Sequence, residues 1–257
     1  MANRHIEPGN CRILISNDDG IESHGIKVLE TVARGLSDDV WVVAPEVEQS
    51  GASHSLTTRR PLRLNPRGAQ RYAVDGTPTD CVLLAVKRLL RDRPPDLLLS
   101  GINGGSNVGE DLTYSGTVAA AMEATLLGIP AIALSQDFRD GDPIPWPIGE
   151  GLAPEVIRRL LSLSWPDSTL YNINFPAETA TGVAVTNQGK RTIADNLTEG
   201  VDPRGRPYYW IGPVREAGGA EPGTDVAALG DNKVSITPIY LDLTNVPVLG
   251  ALRKLFE

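Results

Sequence analysis

Short runs that are apolar at every position alternate, through the first half of this chain, with longer segments whose apolar residues recur at helical spacing. RILI at 12–15 and VWVVA at 40–44 flank GIKVLETVARGL at 25–36. The alternation returns with TDCVLLAVKRLL (79–90), DLLLSG (96–101), GTVAAAMEATLLG (116–128) and PAIALS (130–135). A strand with no polar face has water on neither side, so such strands belong in a parallel sheet covered by helices on both faces. The pattern predicts an α/β fold built on a Rossmann-like, doubly wound, mostly parallel sheet. Ligands are then expected beyond the carboxyl ends of the strands.

PLRLN and QRYAV, on either side of Pro66-Arg67-Gly68, read as a small hairpin. From about residue 180 the texture changes: VAVTN, PYYWIG and KVSITPIY are strand-like, separated by stretches rich in Gly, Pro and charge such as EGVDPRGRP and EAGGAEPGTD. We expect a core over residues 1–185 and a β-rich C-terminal extension over 186–257, serving assembly or lid formation rather than forming a second core.

With 41% hydrophobic residues in 257, the chain can bury a full core. Its 24 Lys+Arg against 32 Asp+Glu give a formal charge of -8, which offers no general basic surface for duplex nucleic acid. An anionic substrate needs local compensation, from a metal ion, helix N-termini or a few arginines. Cys11 and Cys81 are too far apart for a C-x-x-C pair, and a reducing cytoplasm fits them best. MANRHIEPGNC lacks the apolar region of a secretory signal and no apolar run approaches ~18 residues, so a soluble protein with no membrane contact is expected.

Three polar stretches follow predicted strands. Asp18 and Asp19, in ISNDDG, end the first. Adjacent carboxylates repel, and a hard divalent cation is the usual means of keeping both ionised; the plainer alternative is a turn closed by Asx hydrogen bonding. SGINGGSNVGEDLTYSGTVAAAMEA (100–124) places Asn103 just past another strand end, where its amide oxygen can join an oxygen-rich coordination sphere. Ser115-Gly116-Thr117 then opens an alanine-rich helix whose free N–H groups, with the two hydroxyls, can cradle a phosphate without net positive charge; alternatively Ser115 only caps the helix. EVEQSGASHSLTTRRPL (46–62) is a long polar loop in which Ser50 offers another hydroxyl and Arg59 and Arg60 either face a phosphate or are solvated. His54 reads as a surface residue before a proton shuttle. His5, His24 and His54 have no zinc spacing, there is no G-x-S-x-G elbow, and neither a P-loop nor a dinucleotide fingerprint is present. Cys81 continues an apolar helix stripe, and Thr77 and Thr79 sit where a helix would be capped.

ILISNDDG, APEVEQSGASHSLT, VDGTPTDCV, SGINGGSNVGEDLTYSGTVAAAMEA, GIPAIALS, NINFP and GTDVAALGDNKVSITPI together resemble the SurE family, the survival protein E type of metal-dependent nucleoside monophosphate phosphatases. These blocks cover most of the chain in order. The resemblance implies a C-terminal extension exchanged between subunits of a homodimer or homotetramer. It implies one divalent ion per subunit, Mg²⁺ or Mn²⁺, on Asp18, Asp19, Ser50 and Asn103, with Asp18 and Asp19 also catalytic. Asn107, Ser115, Gly116 and Thr117 fall on its phosphate-contacting positions. Hydrolysis of nucleoside 5′- and 3′-monophosphates is then expected, with short polyphosphate as a side substrate. The competing expectation is a module that binds nucleotides without turning them over.

Overall fold

The computed structural model of the chain describes residues 6–191, 197–211 and 220–256; His5 lies outside them, as does part of the EAGGAEPGTD stretch. Strand β1 (Gly9–Ser16), helix α1 (His24–Arg34) and strand β2 (Ser37–Pro45) open the fold. The hairpin of β3 (Leu64–Gly68) and β4 (Arg71–Val74) follows. Helix α2 (Pro78–Leu84) runs on through a π-helical turn to Leu89. Then come β5 (Leu97–Gly104), a 3-10 turn (Gly109–Thr113), α3 (Gly116–Leu126), β6 (Ala131–Gln136), α4 (Trp146–Leu161), β7 (Thr169–Phe175) and β8 (Gly182–Val185). The C-terminal part holds β9 (Leu197–Val201), β10 (Pro207–Ile211), α5 (Asp225–Gly230), β11 (Lys233–Tyr240) and α6 (Val246–Phe256).

Nine strands form one sheet in the order β3-β4-β2-β1-β5-β6-β7-β11-β8, and all neighbours are parallel except β3 with β4 and β7 with β11. The sheet is the mostly parallel one expected, and its two cores explain the all-apolar strands. In β1, Ile13 and Ile15 join the cluster under α1 and α4, whereas Leu14 joins the one under α2 and α3. The same division separates Leu97 and Leu99 from Leu98 in β5, and Ile132 and Leu134 from Ala133 in β6. Each of these leucines and isoleucines contributes roughly 1.5–3 kcal/mol on burial. Cys81 is fully buried in the second cluster, and Cys11 is buried too; both are free thiols.

Three features differ from the sequence reading. The hairpin turns at Ala69 and Gln70, the latter at φ 55°, after Pro66, Arg67 and Gly68 (φ 148°) have been taken into β3 with a register shift. Helix α4 has no counterpart in that reading: Pro147 in its first turn and Pro154 inside it look like breaks. It persists because Ala153, Val156, Ile157, Leu160 and Leu161 are buried against the sheet. Finally, β11 lies inside the main sheet between β7 and β8, so the last third of the chain both completes the core and leaves β9, β10 and α6 outside it. Tyr209, Trp210 and Ile211 of β10 are exposed, and α6 has no buried residue. No helix among the described residues is long and apolar enough to cross a membrane.

Helix α1 approaches the end of β5 so closely at Gly25 that a methyl group there would stand 1.9 Å from the Ile102 carbonyl oxygen. Backbone oxygen cannot rotate aside. Gly25→Ala is expected to lower stability by about 1–3 kcal/mol, seen as a lower urea midpoint at unchanged slope.

Candidate active site at the carboxyl edge of the sheet

Asp18 and Asp19 leave the carboxyl end of β1 in a turn closed by Asn17, whose Nδ2 donates to the Gly20 carbonyl at 3.0 Å and to Ser23 Oγ at 2.9 Å. The Asx bonding expected of a plain turn is therefore supplied by Asn17, which leaves both aspartates available. Asp18 is buried and takes the mouth of α3: its Oδ1 accepts a hydrogen bond from the Thr117 hydroxyl, and the backbone N–H groups of Gly116 and Thr117 lie near enough to favour its charged form. A Cβ on Gly116 would stand 2.6 Å from the Asp18 Cβ, so only glycine permits this approach.

Burial pushes the Asp18 carboxyl above the ordinary aspartate range, and the bonds from Thr117 and the helix N–H groups offset part of that. Asp19 is pushed up to about 6, by burial first and then by the charge of Asp18, with Glu48 adding to it and the Gly104 backbone opposing. The two groups repel across a partly dry cleft.

The other predicted ligands come from neighbouring strand ends. The Asp18 carbonyl accepts from the Gln49 N–H at 2.7 Å, which ties down the loop after β2. Ser50, exposed on that loop, donates to Glu48 Oε1 at 2.8 Å, so its oxygen lone pairs stay open. Asn103, near the end of β5, spends its Nδ2 on the Gly105 carbonyl at 2.8 Å, and its Oδ1 has no hydrogen bond among the described residues. Asn107 is buried and held from several sides: its N–H donates to Asn174 Oδ1 and its Nδ2 to Ser135 Oγ, each at 2.8 Å. Its carbonyl accepts from Asn172 and Asn174 on β7. Ser115 caps α3 by accepting from the Val118 N–H at 3.1 Å, so its own proton is free for another acceptor.

Asp18, Asp19, Ser50, Asn103, Asn107 and Ser115 thus line one cleft of about 490 Å³. Gly116 and Thr117 are not on its wall, since both are buried behind Asp18. Carboxylate, hydroxyl and amide oxygens are hard donors, a set that suits Mg²⁺ or Mn²⁺ and not zinc. No group of three or more His, Cys, Asp or Glu side chains able to hold a metal occurs among the described residues, so a cation here depends on the mixed oxygen set.

Arg59 and Arg60 do not line the cleft, and Arg60 pairs with Asp75 at 3.3 Å. His54 pairs with Glu123 of α3 at 3.0 Å, outside the cleft lining. Thr77 forms a capping box with Asp80 at the start of α2. The lining residues Glu48, Ser106, Asp111, Tyr114, Asp140 and Arg191 were not singled out by the sequence reading. Ser106, Asp111 and Tyr114 sit within the stretch 100–124, and Glu48 within the loop 46–62. Arg191 gives no signal in spacing, because only the return of the chain after β8 brings it here.

The family model described as "Survival protein SurE" matches residues 13–195. The chain belongs to the SurE family. Proteins named "5'-nucleotidase SurE" include one from Paramagnetospirillum magneticum, 57% identical over 97% of this chain and 97% of its own length. Another, from Rhodospirillum rubrum, is 52% identical over 96% of each. Among solved structures, the SurE protein from Aquifex aeolicus superposes with a TM-score of 0.84 at 41% identity, covering 96% of this chain and 100% of that one.

The raised proton affinity of Asp19 has a direct effect on stability. Its folded pKa of about 6 exceeds the ordinary 3.8, so the associated stability is fully present below about pH 3.8 and lost as pH rises through about 6. Chelator-treated protein should melt lower at pH 7.5 than at pH 5. Asp19→Asn should flatten that dependence and stabilise the metal-free protein near neutrality by about 1–2 kcal/mol, a figure discounted for partial exposure, as read by thermal melts across pH.

Proposed function

We propose that this protein is a divalent-cation-dependent 5′-nucleotidase that releases inorganic phosphate from nucleoside 5′-monophosphates. The reading extends to 3′-monophosphates and, as a side activity, to short polyphosphate. The observation that carries it is the convergence of Asp18, Asp19, Ser50 and Asn103 on one cleft beside Ser115, in a chain of this family. Two repelling carboxylates facing open oxygen donors are what a cation site requires, and one Mg²⁺ or Mn²⁺ per subunit satisfies it. When bound, such an ion supplies charge neutralisation for the phosphoryl oxygens and makes water more acidic.

The chain's own residues account for the rest. Thr117 and the α3 N-terminus hold Asp18 in one position. Asp19, on the cleft wall beside the cation donors, is placed to take the proton of the attacking water. Water adds at phosphorus, the bond to the ribose oxygen breaks, and the proton passes to that leaving oxygen. Ser115 donates its free hydroxyl proton to a phosphoryl oxygen, and Asn107, anchored by Asn172 and Asn174, fixes the facing wall. Adjacent aspartates lack the D-x-D spacing of aspartyl-phosphate enzymes, which favours direct attack by water.

Purified protein with Mn²⁺ should liberate phosphate from AMP, and chelator should abolish the release. Asp19→Asn should reduce turnover by at least ~10³-fold, in line with loss of a group acting in the transition state. Gly116→Ala, which displaces Asp18, should be nearly as damaging. Retained turnover in Asp19→Asn would remove the aspartates from the reaction, and saturable AMP binding without phosphate release would favour a nucleotide-sensing module.

The same reading includes a cytoplasmic homodimer or homotetramer, assembled through the part of residues 186–257 that lies outside the core sheet. The exposed Trp210, Ile211, Leu255 and Phe256 support it, being large apolar side chains on elements with no cover. Removing residues 242–257, which spares β11, should yield a smaller species in analytical ultracentrifugation. An unchanged oligomer would exclude α6 from assembly.

A further inference from the structure

The cleft wall is acidic. Asp18, Asp19, Glu48, Asp111 and Asp140 all contribute to it, and Arg191 is the one cationic side chain among the described residues that do. A phosphoryl dianion entering this space needs more positive charge than one divalent ion bound to two aspartates provides.

Arg191 is held on one side and without a partner on the other. Its backbone N–H donates to the Glu110 carboxylate. Nη1 donates to Asp111 Oδ2 at 3.0 Å and to Ser106 Oγ at 3.2 Å. Nε is buried without a partner, and Nη2 has no hydrogen bond among the described residues. The segment that delivers it is fixed by Asp225, which is fully buried. One Asp225 oxygen accepts from the N–H groups of Gly189 at 2.7 Å and Val226 at 2.9 Å, and the other from Gly109 at 3.0 Å. Gln188 adds a bond to the Gly109 carbonyl at 2.8 Å. The arginine and the glycine-rich loop therefore form one unit. A guanidinium has two edges and five donors, and here only Nη1 is committed to the loop. The remaining edge has the planar fork that suits a phosphoryl group and that a lysine lacks.

We propose that Arg191 binds the phosphoryl group of the substrate and of the phosphate product through this uncommitted edge, with Asp111 and Ser106 aiming it and Asp225 positioning its segment. The inference rests on the nucleotidase reading, to which it adds a substrate-contacting residue. The opposing account is that Arg191 only neutralises Asp111 and pins the loop.

Inorganic phosphate titrated calorimetrically into Mn²⁺-loaded protein separates the two, alongside KM and kcat for AMP. Arg191→Met should weaken phosphate binding and raise KM at least tenfold. Arg191→Lys should preserve the melting temperature and the charge beside Asp111, yet still raise KM several-fold, which keeps the test decisive if the Met variant folds poorly. Asp111→Asn keeps an amide oxygen to accept from Nη1 and so preserves the aim while removing a competing charge; it should bind phosphate as tightly as the wild type or more so. Wild-type phosphate affinity in Arg191→Met, or in a well-folded Arg191→Lys together with unchanged KM, would overturn the proposal. So would equal weakening in Asp111→Asn and Arg191→Met. If the wild type fails to hydrolyse AMP while phosphate binding still depends on Arg191, the nucleotidase reading falls and this assignment stands.

Discussion

The site depends on one contact, the Asp18 carboxylate against the N-terminus of α3. A buried carboxylate is costly unless its lone pairs are met, and here the Thr117 hydroxyl meets one oxygen while the positive end of α3 favours the negative charge. The contact ties the end of β1 to the start of α3. It reaches further through the Asp18 carbonyl, which holds the loop bearing Ser50. Moving that carboxylate would disturb the aspartate pair, the Ser50 loop and the Ser115 cap together. Asp19 has fewer partners and stays in a strained electrostatic setting, a common arrangement where stability is given up for chemistry.

How much of this was legible in the sequence follows from which forces are local. All-apolar strands such as RILI and DLLLS announced a sheet covered on both faces, because alternate residues serve opposite cores. The strand-end positions of Asp18, Asp19 and Asn103 followed from that topology alone. Helix α4 was hidden because its prolines contradict a helix locally, and only burial against the sheet outweighs them. The start of α3 is the more instructive case. The sequence pointed to an anion at that helix N-terminus, and an anion is there, but it is the protein's own Asp18. Sequence pattern can mark a place that favours negative charge without saying whose charge fills it. Arg191 and Asp225 were beyond reach, since their partners lie in a distant loop and no local spacing records the pairing.

The glycine-rich loop after β5 is shaped by clamps at least as much as by its own residues. Gly109, in the left-handed region at φ 56°, lies so close to the returning chain that a Cβ would stand 3.0 Å from the Arg191 backbone nitrogen. Asn172 and Asn174 hold the loop from β7, and Asp225 and Gln188 hold it from the C-terminal side. Flexible composition is thereby converted into a fixed cleft wall, at the cost of ordering glycines that lose much conformational freedom.

Asp225 lies late in the chain, well after every other group that shapes the cleft. During synthesis the strands from β1 to β7 emerge first and can pair, while Gly109 and Gly189 still await the carboxylate that joins them. The cleft therefore matures only after the strands that carry its aspartates, and a nascent chain halted before α5 would hold both of them without a finished wall opposite.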